Sequence, residues 1–262
     1  MKRILITGAG SYIGTSFARY LDQFPGRYET VTVDMMGNSW KEADFSGFDA
    51  VYHVAGLAHI RETEENAGLY YRVNRDLAVE TARKARESGV PQFVFLSSMS
   101  VYGMEEGCIT RQTEPNPKTN YGKSKLQAEA MLKELENDRF HVAVLRPPMV
   151  YGEGCKGNYQ SLVKFAKVMP FFPDYSNRRS MLHVDGLSEV VREIVDTGAQ
   201  GLFLPQDADY VCTCHMVRDI AAGMGKNMKL LKILNPAVSL AKRFTAMGRK
   251  AFGDLYYLKE QA

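Results

Sequence analysis

The first fourteen residues constrain this chain more than any others. Ile4-Leu5-Ile6-Thr7 is a short apolar run, and Gly8-Ala9-Gly10-Ser11-Tyr12-Ile13-Gly14 follows at once. A strand that breaks into a glycine-rich turn and opens a helix, here Ile13 to Phe24, leaves first-turn amides and a helix dipole facing one spot, and anions bind there. Glycine lets the backbone approach a pyrophosphate closely. Such a turn is a weak signal alone. Asp34 strengthens it, because it ends the next predicted strand, Thr30 to Asp34, twenty residues after Gly14. A carboxylate there accepts hydrogen bonds from ribose hydroxyls and repels a 2′-phosphate. Met35-Met36 brings no cation to offset that repulsion. The expected cofactor is therefore NAD rather than NADP, held by Gly8, Ser11, Tyr12, Ile13 and Asp34.

The pattern continues as strand and helix in alternation. Ala50 to Ala55 reads as a strand closed by Gly56, and Tyr70 to Ser88 as a long helix stopped by Gly89 and Pro91. Phe93 to Ser97 is apolar without alternation, as in a strand buried on both faces. Asn120 to Glu136 reads as a helix and Val142 to Leu145 as a strand. Nine residues between Asp34 and Asp44 are too few for a full crossover, so that connection is expected to be abbreviated. The fold class that follows is α/β, a Rossmann-type doubly wound parallel sheet. After Gly152 the pattern loosens into a small, loop-rich C-terminal lobe with a helix over Gln160 to Lys167. Residues 1–152, joined again by 181–204, are expected to form the NAD-binding domain, and 153–180 with 205–262 the substrate-binding lobe.

Tyr121-Gly122-Lys123-Ser124-Lys125 opens the second long helix. Residues four apart share a helix face. A free phenol, with a pKa near ~10, is a poor base at neutral pH. A neighbouring ammonium and a positive nicotinamide ring both favour phenolate, so a depressed tyrosine is expected. Ser98 ends a strand, and in open α/β sheets reacting groups gather at the carboxyl ends of strands. Ser98, Tyr121 and Lys125 are thus expected to meet beside the nicotinamide.

Other features exclude function classes. A net charge of +3 is too small to argue for nucleic acid, and no apolar run reaches membrane-span length. The N-terminal apolar run meets glycines at once, which reads as a buried strand rather than a signal peptide. Four cysteines in 262 residues suggest no disulfide framework, hence a cytoplasmic protein. Cys212-Thr213-Cys214-His215 reads as a strand with small buried side chains, and no metal is expected. Lys226 to Lys250 holds seven basic residues and no acidic one. A solvated face near a nucleotide diphosphate site is the preferred reading, with an anionic membrane or acidic partner as the alternative.

Taken together, the motifs resemble the extended short-chain dehydrogenase/reductase family in its nucleotide-sugar epimerase branch. The matching pieces are Thr7 to Gly14, Asp34, Asp44-Phe45, His53 to Gly56, Val73-Asn74, Phe95 to Gly103, Tyr121 to Lys125, Leu145 to Gly152, Arg179 and His183-Val184-Asp185. The resemblance implies that Asp44 and Phe45 border the adenine. It implies that Val54, Ala55, Gly56, Asn74 and Pro148 line the cofactor with Tyr121 and Lys125. Ser98 then orients substrate, with Ser100 beside it, Tyr121 is the acid/base, and Lys125 binds the ribose. Asn158 and Arg179 would hold the nucleotide diphosphate, a guanidinium suiting phosphate through paired donors. Ser11 stands where the family usually has a glycine, and Met149 where UDP-galactose epimerases usually have an asparagine. Pro147-Pro148, Lys156-Gly157-Asn158 and Arg178-Arg179-Ser180 resemble instead polysaccharide-cluster enzymes of UDP-N-acetylhexosamines. Relatives often continue beyond Gly253-Asp254-Leu255, so a shortened C-terminus is expected.

The resemblance also narrows the reaction. Sugar 4,6-dehydratases of the family carry Asp and Glu directly after the catalytic hydroxyl, and nucleotide-sugar-acid decarboxylases usually carry Glu at the second of those positions. Here the positions are Met99 and Ser100, and a thioether transfers no proton. Two hydride reactions remain: 4-epimerisation of a UDP-hexose or UDP-N-acetylhexosamine, and reduction of a UDP-4-keto-sugar. A non-catalytic NAD-sensing module is disfavoured by the Tyr-Lys pair. A homodimer is expected through the two long helices, with Leu126, Met131, Leu132 and Leu135 offered to the partner.

Overall fold

The structure is a computed structural model that describes residues 1–58 and 60–259; the side chain of Asn158 lies outside that description. The chain opens with β1 (Lys2–Thr7), α1 (Tyr12–Leu21) and β2 (Tyr28–Val33), then a single 3-10 turn, Ser39–Lys41, and β3 (Ala50–His53). That turn is the abbreviated crossover. Next come α2 (Ala67–Tyr71), α3 (Leu77–Glu87) and β4 (Gln92–Leu96). The expected single helix from Tyr70 to Ser88 is instead α2 and α3 joined by a π turn at Arg72–Asp76, which sets Asn74 inward. A 3-10 turn, Met99–Tyr102, leads to β5 (Gly107–Ile109), α4 (Asn120–Lys133), β6 (His141–Leu145) and β7 (Met149–Tyr151). The chain continues through α5 (Asn158–Val168), β8 (Phe171–Pro173), β9 (Met181–His183), α6 (Val184–Thr197) and β10 (Gly201–Phe203). It finishes with α7 (Thr213–Gly223), β11 (Lys229–Leu231), α8 (Asn235–Phe244), α9 (Ala246–Phe252) and β12 (Leu255–Tyr257).

Two compact units emerge. The first holds residues 1–103, 115–147 and 183–205. Its six-stranded sheet runs β10-β6-β4-β3-β1-β2, with every pair parallel. β3 and most of β4 are buried on both faces, which is why Ala50-Val51-Tyr52 and Phe93-Val94-Phe95-Leu96 show no polar alternation. On one face Leu5, Val51, Phe93, Phe95 and Val142 pack with the alanines of α3 and with Ala128, Leu132 and Leu135. α1 and α6 pack together and bury Phe17, Leu21, Val191 and Ile194. The strand order reverses between β1 and β3, because β2 lies on one side of β1 and β3 on the other. A crevice at the carboxyl ends of strands forms at such a reversal.

Two expectations change here. Leu132 and Leu135 are spent in this unit's own core, and Met131 packs against it. Of the four side chains expected to face a partner, only Leu126 lies outside that core. Residues 104–114, expected in the first domain, belong with the second unit, because β5 pairs in parallel with β12.

The second unit holds residues 104–114, 148–182 and 206–262. It contains three two-stranded sheets, β5 with β12, β8 with β11, and β7 with β9. Ala166, Phe172, Val217, Ala221 and Met228 form its apolar centre under α5 and α7. Cys212 and Cys214 do not lie on a strand: Cys212 caps α7 and Cys214 is buried in its first turn. Among the described residues no helix is long and apolar enough to cross a membrane.

Candidate functional site

β1 hands the chain to the glycine turn at the sheet reversal. Gly8 has φ 90°, and a Cβ there would lie 3.0 Å from the Cα of Ala55. The turn therefore lies directly against the residues that follow β3. Gly10 has φ 71° with open space around its absent side chain. Gly14 lets α1 sit on the sheet, since a Cβ would meet Ile6 and Val54 at 3.0 and 3.2 Å. Ser11 takes a role the glycine pattern did not suggest: its hydroxyl accepts from the Gly14 amide at 3.2 Å and caps α1. Tyr12 and Ile13 form the first turn of α1, at its N-terminal end. The Gly8 amide donates to the Val33 carbonyl at 2.9 Å, which sets exposed Asp34 beside the turn. Asp34 accepts from the Met36 amide at 2.9 Å.

Asp44 and Phe45 come out differently. Asp44 accepts from both the amide and the hydroxyl of Ser46, at 2.8 and 2.9 Å, which holds its carboxyl below the usual range. The Phe45 ring is fully buried in the core, so this residue has only its main chain to offer a ligand.

Gly56 leads to the second half of the site. A Cβ on it would lie 3.1 Å from Asn74 Oδ1 and 3.3 Å from Lys125 Nζ. Asn74 is fully buried. Its Oδ1 accepts from the Leu57 amide at 2.7 Å, and its Nδ2 donates to the Leu57 carbonyl at 3.1 Å and to Ser124 Oγ at 3.3 Å. Asn74 thus ties the segment after β3 to α4.

α4 starts with Thr119, whose hydroxyl accepts from the Gly122 amide at 3.1 Å. Gly122 lets the helix press on the Met99–Tyr102 turn, since a Cβ there would lie 2.7 Å from the Ser100 carbonyl oxygen. That contact brings Tyr121 to Ser98. Ser98 Oγ accepts from the Ser100 amide and donates to Ser100 Oγ, both at 3.1 Å. Burial raises the Tyr121 phenol above its ordinary pKa, while a hydrogen bond with Ser98 lowers it. The expected depression by Lys125 is absent from the chain by itself. The reason is geometric: Lys125 Nζ donates to the Leu96 carbonyl at 2.8 Å and sits 4.7 Å from the Phe95 ring centroid. Lys125 is 4% exposed, and burial pulls its pKa down to about 8.

Beneath this cluster lies a network that sequence reasoning missed. Arg146 donates to Glu129 at 2.6 Å and to the Tyr102 hydroxyl at 2.9 Å, and Ser97 donates to Glu129 as well. Glu129 follows Lys125 by one helical turn and is buried, so a carboxylate on the inward face of α4 was the available signal. Neutral His53 is buried too, its Nδ1 2.9 Å from Thr7 Oγ1, with a pKa pushed down to about 3.

The remaining expected residues belong to the second unit. Pro148 opens its second segment, and Asn158 begins α5. Arg179 is partly buried, donates to the Gly253 carbonyl at 3.0 Å, and has its pKa lowered by burial. Arg178 is instead exposed, 3.6 Å from Asp254 and stacked on Tyr256. Cys212, Cys214 and His215 bring three donor atoms within 4.8 Å of one another, and burial lifts Cys214 to about 12.

The glycine cradle, the carboxylate after β2 and the buried Lys125 fit a dinucleotide cofactor. The chain belongs to the NAD dependent epimerase/dehydratase family, whose model it matches over residues 4–202. It is an enzyme of the extended short-chain dehydrogenase/reductase type with NAD as cofactor. It is similar to a UDP-glucose 4-epimerase of Vibrio cholerae, 31% identical over 86% of this chain and 76% of that protein. Two solved structures share its fold. One is UDP-glucuronic acid 4-epimerase from Bacillus cereus in complex with NAD, with TM-score 0.70, 19% identity, and 95% and 96% of the two chains covered. The other is dTDP-4-dehydrorhamnose reductase from Bacillus anthracis in complex with NADP, with TM-score 0.72, 19% identity, and 100% and 92% covered.

Proposed function

We propose that the chain is a UDP-sugar 4-epimerase acting on a UDP-hexose or UDP-N-acetylhexosamine. The observation that carries this reading is the Ser98–Tyr121–Lys125 cluster with Met99 and Ser100, and no carboxylate, directly after Ser98. Dehydration needs a proton donor to the leaving hydroxyl at that place, and neither residue is an acid. Bound NAD would supply the hydride acceptor and donor for the sugar C4. Gly8, Ser11, Tyr12 and Ile13 would hold its pyrophosphate, and Asp34 its adenosine ribose. Val54, Ala55, Gly56 and Asn74 would line it, with Asp44, the Phe45 main chain and Pro148 at its edges. Tyr121 takes the proton of the C4 hydroxyl as the carbonyl forms, and gives it back to the other epimer's oxygen. Ser98 holds that oxygen in line, with Ser100 beside it. Lys125, whose ammonium lies near Gly56 and donates to the Leu96 carbonyl, would offer its remaining donors to the nicotinamide ribose. Asn158 and Arg179 would grip the diphosphate. The Vibrio relative, named for UDP-glucose, supports a UDP-sugar substrate.

Incubation with UDP-glucose or UDP-N-acetylglucosamine and NAD, followed by proton NMR, tests the reading. The 4-epimer should appear with no net NADH. If a UDP-4-keto-sugar instead consumes NADH one for one and neither UDP-sugar epimerises, the reaction is 4-keto reduction. Homodimer assembly and a reducing cytoplasmic location, suggested by four free cysteines, belong to the same proposal. Light scattering at micromolar concentration checks the first, and cell fractionation the second.

A further inference from the structure

The basic C-terminal stretch presents an unusual surface. Between Asp219 and Asp254 there is no acidic residue, while Lys226, Lys229, Lys232, Lys242, Arg243, Arg249 and Lys250 are basic. Three of these are paired within the unit: Lys242 with Glu106 at 3.0 Å, and Arg249 and Lys250 with Glu105 at 2.7 and 4.0 Å. Lys226, Lys229, Lys232, Arg243 and Lys250 are exposed. Alongside them lies an apolar stripe. Pro236, Ala237, Leu240 and Phe244 recur at helical spacing on one side of α8, and Ile233 extends the same side into the preceding turn. Ile233 is 83% exposed, Leu240 61% and Phe244 70%, and Met247 of α9 is 80% exposed.

The inward side of α8 is already occupied. Val238 is buried, and α9 abuts Ala241 so closely that a Cβ on Gly248 would lie 2.4 Å from the Ala241 carbonyl. The stripe is therefore a second apolar face, turned outward, with Lys232 and Arg243 directly beside its end residues. Single exposed apolar side chains are ordinary, but a contiguous row on one helix marks an interaction surface. Apolar residues flanked by the exposed cations Lys232 and Arg243 match the boundary of an anionic bilayer, where acyl chains take the apolar groups and headgroup phosphates the cations. Long Lys and Arg stems reach the headgroups while their neighbours sink below them.

We propose that α8 and the turn before it dock this protein on an anionic phospholipid surface, with Ile233, Leu240, Phe244 and Met247 in the interface and Lys232 and Arg243 on the phosphates.

The test is flotation of the purified full chain with phosphatidylcholine vesicles, alone or with about one third phosphatidylglycerol. The chain should float with the anionic vesicles and not with the neutral ones, and should be released several-fold as salt is raised from ~0.05 to ~0.5 M. Leu240→Glu with Phe244→Glu should weaken flotation by roughly tenfold or more. Lys232→Gln with Arg243→Gln retains the stripe and should remove the preference for anionic lipid, which keeps the test decisive if the first variant misfolds. NADH binding should be unchanged in both. Wild-type chain that stays below anionic vesicles, or a Leu240/Phe244 variant that floats like wild type, overturns the proposal. So does a patch variant that lowers the mass in light scattering without altering flotation, because a second copy would then be the occupant.

Discussion

Lys125 should make the empty protein less stable than it would be without it. Its ammonium is buried in the first unit, donating to the Leu96 carbonyl, and its pKa falls from 10.5 to about 8. At ~1.4 kcal/mol per pKa unit, carrying that charge at neutral pH costs about 3 kcal/mol of folding free energy. Lys125→Met keeps the length of the stem and removes the charge. It also strips the Leu96 carbonyl of its donor, which costs about 1–2 kcal/mol. The net expectation is a ligand-free variant more stable by about 1–2 kcal/mol at pH 7, or roughly 2–6 °C in Tm for a chain of this size. The charged form is the one disfavoured by folding, so the cost is present in full below about pH 8. It fades as pH rises from about 8 towards 10.5, where the unfolded lysine also loses its proton. The advantage of the variant should shrink over that window. Scanning calorimetry of both proteins without ligand, at pH 7 and pH 10, reads the difference directly. NADH affinity and turnover should fall sharply in the same variant. A Lys125→Met protein that melts several degrees below wild type at pH 7 would refute the reasoning, because the buried ammonium would then be a net stabiliser.

Four further outcomes follow from the same geometry. Tyr121→Phe should slow hydride-linked turnover by roughly a hundredfold or more while NADH binding persists. Ser98→Ala removes the hydrogen bond that lowers the phenol's pKa, so the rising limb of the pH–rate profile should move to higher pH; an unmoved limb would put the base elsewhere. Gly122→Ala forces a methyl to 2.7 Å from the Ser100 carbonyl oxygen. It should cost about 1–3 kcal/mol in thermal or urea unfolding and lower kcat more than NADH affinity, as Tyr121 moves off Ser98. Asp34→Asn should weaken NAD binding and relax discrimination against NADP in calorimetry, because an exposed carboxylate no longer repels the 2′-phosphate.

The sequence by itself determined the Rossmann-type sheet and the order of its parts. Gly8 and Gly14 announce the turn because only glycine fits there, and Asp34 is fixed in register because β2 pairs residue for residue with β1. Tyr121 and Lys125 share a helix face through local periodicity alone, a property no tertiary contact needs to supply. What the tertiary structure decided is where each group's polar atoms go. The Lys125 ammonium turns to the Leu96 carbonyl, so the phenol of Tyr121 answers to burial and to Ser98. Leu132 and Leu135 turn to the chain's own core, and Phe45 disappears into it. Cys212 and Cys214 open a helix where alternation suggested a strand. The inward Asn74 and the Glu129–Arg146 pair join segments distant in sequence, and their partners exist only once those segments pack. Spacing along a chain reports which residues share a face, but packing between elements decides what that face meets.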